Sequence, residues 1–294
     1  MEIKNDNEDL TDRKLDGELV FSGGLLDIDE PADEDEVQPV VTAPPEKVNV
    51  LKVPFDIVSY AQLPNVIYSM LSPQSNTAEK KGKNIVLLSL KNLLRARRNK
   101  EYRSFVLNAD LVIPISKSIV SGANFLKGKT PHRYMPFNFV INLLGILEKR
   151  EYTVYLLGGK TQSLKKTESN LRRTFPNLRI VGRYPGSFKK HEEIKILEAI
   201  QKATPHLILV GKGVRGGELW IARNGKSLGN GLRLWCSDLF DIFSEIRKRP
   251  SERVFELGLE VFGYTLRNPL KIFRIFSYIR YKFLLLIYKI FKLG

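Results

Sequence analysis

Residues 152–182, YTVYLLGGKTQSLKKTESNLRRTFPNLRIVG, contain the pattern that decides the fold. A short apolar run ends at two glycines, a polar stretch with helical periodicity follows, and a second apolar run begins after Pro176-Asn177. Strands that are apolar on both faces are typical of a parallel sheet that is covered by helices on each side. The stretch therefore predicts a strand–helix–strand unit.

The same alternation continues in both directions along the chain. Strand candidates are residues 84–88, 110–113, 152–157, 178–182 and 206–211. Helix candidates are residues 90–107, 138–150, 161–174 and 190–203. Alternating elements of these lengths predict an α/β fold, a Rossmann-like and mainly parallel sheet with flanking helices, over residues 48–245.

Charge is distributed unevenly along the 294 residues. Residues 1–47 hold 15 acidic and 4 basic side chains, a net of −11, whereas the remaining 17 acids and 43 bases give +26. Low aromatic content and the run Asp33-Glu34-Asp35-Glu36 predict an acidic, disordered tail over residues 1–47. The basic body predicts a polyanionic partner, either nucleic acid or an anionic membrane surface.

The C-terminal residues favour the membrane. Residues 246–294 form a basic appendage, and residues 267–294 contain seven Lys/Arg, no acid and many large apolar side chains. This composition is typical of a helix in the membrane interface, while a C-terminal helix packed on the domain is the alternative. No nucleic-acid recognition motif accompanies the charge, so no nucleic-acid partner is expected. Candidate membrane-binding residues are Arg267, Lys271, Phe273, Arg274, Phe276, Arg280 and Lys282.

Metal and disulfide chemistry are not expected. Cys236 is the only cysteine, which excludes a disulfide framework and a cysteine zinc cluster. The three histidines are scattered without acidic or cysteine neighbours at ligand spacing. Two loops instead indicate anion binding, because glycines after a strand and before a helix let the backbone approach a phosphate. They are Gly158-Gly159-Lys160 and the stretch from Gly211 to Gly217, which is not a Walker motif.

An ordered set of segments resembles the WecG/TagA/CpsF glycosyltransferases over about residues 48–276. The matching pieces are Asn108–Val112 with Pro114, Leu156–Lys160, Pro176 with Ile180–Gly182, Val210-Gly211 with Gly213, Glu218 with Trp220–Asn224, and Leu257–Glu260. The resemblance implies a metal-independent enzyme without cofactors. It would move an N-acetylhexosamine-type sugar from a UDP-sugar to a polyprenyl-diphosphate-linked acceptor, peripherally at the inner, cytoplasmic face of the cell membrane. Substrate-binding positions implied by it are Ser89, Arg133, Asn138, Gly158, Gly159, Lys160, Gly211, Gly213 and Arg215.

The chain departs from that family at the residues that carry the chemistry. The proposed general base of the family is an Asp after the strand that ends at Pro114, and here that position is Ile115. An isoleucine cannot accept a proton, so either another group replaces the base or transfer is slow. Glu218 is the tentative replacement, ahead of Asp238, although for Glu218 a carboxylate that stabilises a helix N-terminus is an equally good interpretation. The alternative function is a catalytically degenerate, membrane-attached scaffold or nucleotide-sugar sensor.

Overall fold

The computed structural model describes residues 44–72, 82–249, 251–258 and 273–292. Most of the acidic tail, residues 1–43, lies outside them, and its disorder stays a prediction. The first element, β1 (Glu46–Val50), pairs antiparallel with β2 (Val53–Ile57). The folded part therefore begins two residues inside the segment that the charge pattern assigns to the tail.

Six further strands and eleven helices follow among the described residues. The strands are β3 (Lys83–Leu88), β4 (Leu111–Pro114), β5 (Thr153–Leu157), β6 (Arg179–Tyr184), β7 (Leu207–Gly211) and β8 (Leu232–Ser237). The helices are α1 (Leu63–Leu71), α2 (Leu90–Ala96), α3 (Lys100–Leu107), α4 (Lys117–Lys127), α5 (Pro136–Glu148), α6 (Thr161–Thr174), α7 (Lys190–Ala203), α8 (Glu218–Arg223), α9 (Leu239–Phe243), α10 (Glu252–Leu257) and α11 (Phe273–Ile290).

The six strands form one parallel sheet in the order β4-β3-β8-β7-β5-β6. Apolar clusters lie on both of its faces, and the strands β4 and β7 are buried at every residue. This confirms the predicted α/β class with a parallel sheet and flanking helices. The connection from β5 leads to β6 at the edge of the sheet, whereas the connection from β7 leads in the opposite direction, to β8. Sheets of this kind leave a crevice between two strands whose connections diverge in this way, here β5 and β7.

Several elements differ from the sequence-based prediction, which contained neither the strands β1 and β2 nor the helices α1, α4, α8 and α9. The single helix expected over residues 90–107 is α2 and α3, because Asn99 starts a new helix by accepting a hydrogen bond from the Tyr102 amide at 2.7 Å. Strand β8, in the middle of the sheet, was not predicted. Its apolar run is interrupted by Arg233, which is buried nonetheless and donates to the Gly229 carbonyl.

Helix α11 packs on the domain along one face. Tyr281, Leu285 and Tyr288 are buried, and the Tyr281 hydroxyl donates to the Ser118 carbonyl at 2.8 Å. The Tyr288 hydroxyl accepts a hydrogen bond from the Arg97 guanidinium at 2.9 Å. The alternative prediction, a C-terminal helix packed on the domain, is thus correct for this face of α11. The outward face is apolar and basic, which is the composition expected of a helix in the membrane interface.

Gly122 makes the close approach of α4 and α11 possible. A methyl group at this position would lie 2.0 Å from the Tyr281 hydroxyl oxygen, so Gly122→Ala has to displace the ring and its bond to Ser118. We expect the free energy of unfolding to fall by about 1–3 kcal/mol. Urea denaturation measures it, with Gly145→Ala as the control, because that helical glycine has its nearest neighbour at 3.8 Å. If both variants are equally stable, a glycine at position 122 is not needed for the packing of α11 on α4.

Candidate functional site

The candidate site is the carboxyl edge of the parallel sheet, where the loops after β3, β4, β5, β7 and β8 converge. Open α/β folds bind ligands there because the strand ends leave a crevice that helix N-termini surround. Most predicted site residues lie on this edge: Ser89 and Ile115 follow β3 and β4, the Gly158 loop follows β5, and the Gly211 loop follows β7. The topology therefore brings the predicted residues to one side of the molecule.

The two glycine loops pack directly against each other. A methyl group on Gly158, whose φ is +135°, would lie 2.7 Å from the backbone nitrogen of Gly211. The Gly158 amide donates to the Tyr184 carbonyl at 2.9 Å, and the Gly159 amide donates to the Lys212 carbonyl at 2.6 Å. These two amides are engaged within the protein. Gly158 and Gly159 therefore serve the packing of the loops, and a phosphate would have to meet groups other than these two amides.

Exposed cations and a helix N-terminus are the groups in the crevice that suit an anion. Lys160, Lys212 and Arg215 are exposed at the rim, and Gly213 between them is exposed as well. Lys160 is the N-cap of the 14-residue helix α6 and makes no side-chain capping bond. The partial positive charge of that helix end adds to the field of the three cations. The crevice is therefore electropositive.

The loop after β4 holds Ile115 in a fixed backbone position. Its amide donates to the Leu88 carbonyl at 3.0 Å, and its carbonyl accepts from Nε of Arg133 at 3.1 Å. The adjacent Ser116 hydroxyl accepts from the Leu90 amide at 3.0 Å, which ties this loop to the one after β3. Ile115 itself is half-buried. A side chain at this position thus projects from a rigid strand end.

Helix α10 lies against this strand end, held by two cations. The Arg133 guanidinium carbon lies 3.7 Å from the centre of the Phe255 ring, and the same side chain donates to the Phe255 carbonyl. Nζ of Lys117 donates to the carbonyl of Glu256 at 3.1 Å and lies 3.4 Å from that of Leu257. Cations at the last carbonyls of a helix are favourable because those carbonyls carry its negative end. The start of the appendage is therefore part of the site.

Asn138 belongs to a polar group on the same side. Its Oδ1 accepts from the Arg249 guanidinium at 2.9 Å, and its amide nitrogen lies 3.4 Å from Oε1 of Glu252. Arg249 also pairs with Glu252. These bonds connect the predicted binding residue Asn138 to the appendage. Glu252 and Lys117 were missed by sequence reasoning, since neither belongs to a quoted family motif.

An aromatic cluster lies next to this group. The rings of Tyr60, His132 and Tyr134 pack edge to face, with centroids 4.4 to 4.7 Å apart. Burial lowers the pKa of His132, and burial followed by the charge of Glu252 raises the pKa of Tyr60. Both shifts favour neutral side chains. His132 therefore packs against two aromatic rings.

Glu218 lies inside the domain. It is 7% exposed, its Oε1 accepts from Nδ2 of Asn92 at 2.9 Å, and its Oε2 lies 3.6 Å from Arg95. Burial raises the pKa of the Glu218 carboxyl, although Tyr102, Arg95 and Asn92 act in the opposite direction. Glu218 therefore joins α8 to α2. This favours a structural role for Glu218 over that of a general base, which would have to be accessible to substrate.

The raised pKa gives Glu218 a measurable signature. Because its pKa is raised, Glu218 holds its proton more tightly in the folded state than in the unfolded chain. The resulting contribution to stability is full below the ordinary pKa of 4.5 and is lost as pH rises through the raised pKa of the folded state. In Glu218→Gln this contribution is absent. We therefore expect the wild-type advantage in unfolding free energy to shrink as pH rises above the ordinary pKa of 4.5, measured in urea titrations.

Glu101 is the control for this titration. Hydrogen bonding to Arg223 lowers the pKa of Glu101, so its contribution is present above the ordinary pKa and is lost as pH falls. Glu101→Gln should therefore show the opposite sign. A wild-type advantage over Glu218→Gln that grows with pH would contradict the raised pKa of the Glu218 carboxyl.

The remaining predicted residues have defined places. Oγ of Ser89 accepts from the Asn92 amide at 3.2 Å and so caps α2. Arg280, Lys282 and Phe276 are exposed on α11, whereas Arg267, Lys271 and the side chains of Phe273 and Arg274 lie outside the described residues. Across the described ranges, no three His, Cys, Asp or Glu side chains form a group that could hold a metal ion. Independence from metal stays a prediction.

Comparisons with known proteins find a matching family. The model of the glycosyl transferase WecG/TagA/CpsF family matches residues 48–293. An N-acetylglucosaminyldiphosphoundecaprenol N-acetyl-beta-D-mannosaminyltransferase of Bacillus subtilis (strain 168) is 22% identical over 186 residues, which cover 63% of this chain and 72% of the relative. The enzyme with the same name from Bacillus spizizenii is 23% identical over 203 residues, or 69% and 78% of the two chains.

Proposed function

Because the chain belongs to the WecG/TagA/CpsF family of glycosyltransferases, we propose that it transfers an N-acetylhexosamine-type sugar from a UDP-sugar to a polyprenyl-diphosphate-linked acceptor. The acceptor class follows from the names of the two Bacillus relatives, which act on N-acetylglucosaminyldiphosphoundecaprenol. The product would enter the synthesis of a cell-surface polymer. The family match over residues 48–293 is the observation that carries this proposal.

The geometry of the sheet edge supports two anionic substrates. Lys160, Arg215 and the N-terminus of α6 surround the crevice between β5 and β7, which suits the diphosphate of a UDP-sugar. Arg133 and Lys117 bind the carbonyls of α10 at the end of β4, so they suit a second diphosphate if that helix moves aside. Positive charge at the leaving diphosphate would stabilise the transition state.

Turnover is expected to be slow. Ile115 replaces the acid that the family resemblance places after β4, and a general base contributes roughly 10²–10⁴-fold to a rate. Glu218 is buried and bonded to Asn92, so we assign it a structural role. Glu218→Gln should retain transfer within about tenfold. A loss of about 10²-fold in a folded Glu218→Gln protein would make it the replacement base.

The test combines binding with turnover. Calorimetry measures the binding of UDP-N-acetylhexosamines, and a transfer assay uses a polyprenyl-diphosphate-linked N-acetylglucosamine in detergent. Binding with slow transfer supports the proposal. Binding without any transfer favours the second candidate, a degenerate scaffold or nucleotide-sugar sensor, for which the isoleucine at position 115 is the specific observation. Absence of binding would show that only the fold was inherited.

Attachment to the inner, cytoplasmic face of the cell membrane completes the proposal. Within the described residues no helix is long and apolar enough to cross a bilayer. The outward face of α11 instead exposes Ile279, Phe283, Leu286 and Ile290, with exposed fractions between 50% and 65%. Their spacing of four, three and four residues forms one stripe, which Arg280, Lys282 and Lys289 flank. Such a helix suits the interface of an anionic membrane.

A further inference from the structure

We infer that α4 of the folded domain forms the membrane-binding surface together with α11, and that the surface it binds is an anionic lipid bilayer. This inference rests on the membrane attachment proposed above. It adds a second membrane-binding element from the catalytic domain, and this element begins at the candidate site. The argument depends on the direction of the two helices, on the side chains exposed at their ends, and on their charge.

The two helices run in the same direction. The Tyr281 hydroxyl contacts the Ser118 carbonyl at 2.8 Å, and Nζ of Lys289 contacts the Phe125 carbonyl at 3.0 Å. A step of seven residues along α4 thus corresponds to a step of eight along α11. The carboxyl ends of both helices therefore lie side by side.

Large apolar side chains are exposed where the helices end. Phe125 on α4 is 45% exposed, and Ile290 and Phe291 at the end of α11 are 65% and 67% exposed. Nζ of Lys289 lies 5.5 Å from the centre of the Phe125 ring, so α11 reaches this ring directly. The exposed end of α4 therefore flanks the end of α11, next to Lys289. We name this combined surface the α4–α11 face.

The charges around the α4–α11 face favour lipid over a second copy of the chain. Lys127 follows Phe125, and Lys289 and Lys292 lie at the end of α11, whereas Lys129 already pairs with Glu46 at 3.1 Å. Residues 267–294 contain no acid. Two identical basic faces would repel each other in a symmetric dimer, whereas each base near an anionic bilayer contributes about 1 kcal/mol. The apolar side chains between the bases can then enter the interface.

The arrangement sets the height of the candidate site. The stripe from Ile279 to Ile290 extends along α11, so that helix lies along the membrane surface, and α4 packs on the other face of α11, which carries Tyr281 and Leu285. The carboxyl end of α4, with Phe125, is therefore the part of this helix that reaches the interface. Its first residue, Lys117, follows Ser116 at the end of β4. The 11 residues of α4 span about 16 Å at 1.5 Å per residue, so the candidate site lies about that far from the end that contacts the membrane.

Site-specific labelling tests the inference in the full chain. Phe125→Cys, Leu286→Cys and Ile194→Cys are each labelled with an environment-sensitive NBD maleimide. Cys236 interferes little, because it is 2% exposed and burial raises the pKa of its thiol. Ile194 on α7 is the control, since it is 65% exposed but belongs to another helix. With vesicles of phosphatidylglycerol and phosphatidylcholine, we expect a blue shift and a severalfold brighter emission at positions 125 and 286.

Each other outcome has a definite meaning. A response at position 286 without one at position 125 overturns the role of α4 but leaves attachment through α11 intact. No response at either position overturns both. An equal response at position 194 shows unspecific adsorption. A response that depends on protein concentration without vesicles shows that a second copy covers the face.

Substitution without a label gives an independent measurement. Phe125→Glu should weaken sedimentation with the same vesicles about tenfold, because it removes one inserted ring and adds a repelled charge. Leu107→Glu is the matched control, since Leu107 on α3 is 48% exposed, close to the 45% of Phe125. Equal affinities of the two variants would contradict the contribution of α4.

Discussion

Ile115→Asp is expected to increase sugar transfer by about 10²–10⁴-fold at saturating substrates. The substitution restores a carboxylate at the position where the resemblance to the family places the general base, and a positioned base contributes that range. The backbone at this position is already fixed, since its amide and carbonyl bond Leu88 and Arg133. Arg133 would keep the new carboxylate ionised, because a nearby opposite charge lowers the pKa of an acid.

Ile115→Asn separates the chemistry from the change in packing. Asparagine has the size and polarity of aspartate but cannot take the proton from an acceptor hydroxyl. Both variants remove a half-buried isoleucine and should lose similar stability, roughly 1–3 kcal/mol. Only the Asp variant should gain kcat, measured with the lipid-linked acceptor.

The absence of a gain would be equally informative. If folded Ile115→Asp binds a UDP-sugar but transfers no faster than wild type, the acceptor side of the site has been lost together with the acid. That result would favour the nucleotide-sugar sensor over the transferase. If both variants gain equally, the effect comes from removing the isoleucine and not from a base.

The fold could be predicted from sequence because its strands are short, apolar and separated by clear turns. The run 152–157, for example, needs burial on both faces and therefore helices on both sides of the sheet. Strand β8 escaped prediction because Arg233 interrupts its apolar run, and burial of this arginine is offset by the charge of Asp110, which only the fold brings near it. Local patterns do not contain such long-range compensation.

The sequence predicted where the residues of the candidate site lie better than it predicted the role of each residue. The glycines after β5 and β7 were recognised as loop residues, yet the amides of Gly158 and Gly159 after β5 donate to neighbouring loops. Lys117 could be found only when α10 is placed next to it, because their bond joins residues about 140 positions apart. Glu218 has the same limitation, since its partners lie on α2 and α3. A residue's role depends on its partners, which spacing along the chain does not reveal.

The second large effect that we expect is the loss of membrane binding when the outward face of α11 is changed. Truncation after Asn268 would also remove Tyr281, Leu285 and Tyr288, which are buried against the domain, so loss of binding could follow from unfolding. Substitutions that place charged side chains on the outward stripe of α11 avoid this risk of unfolding. Phe283 and Leu286 are 62% and 50% exposed, and their replacement leaves the packed face intact.

The variant Phe283→Glu with Leu286→Glu should therefore lose vesicle binding by about 10²-fold or more while it unfolds at the wild-type urea concentration. Removing two partly inserted apolar side chains costs about 1–2 kcal/mol each at half burial, and each new negative charge is repelled by the anionic surface by about 1 kcal/mol. Sedimentation with phosphatidylglycerol vesicles measures it. Ile194→Glu, on α7, changes an equally exposed position and should bind like wild type. Full binding by the doubly substituted chain would exclude the outward face of α11 as the membrane contact.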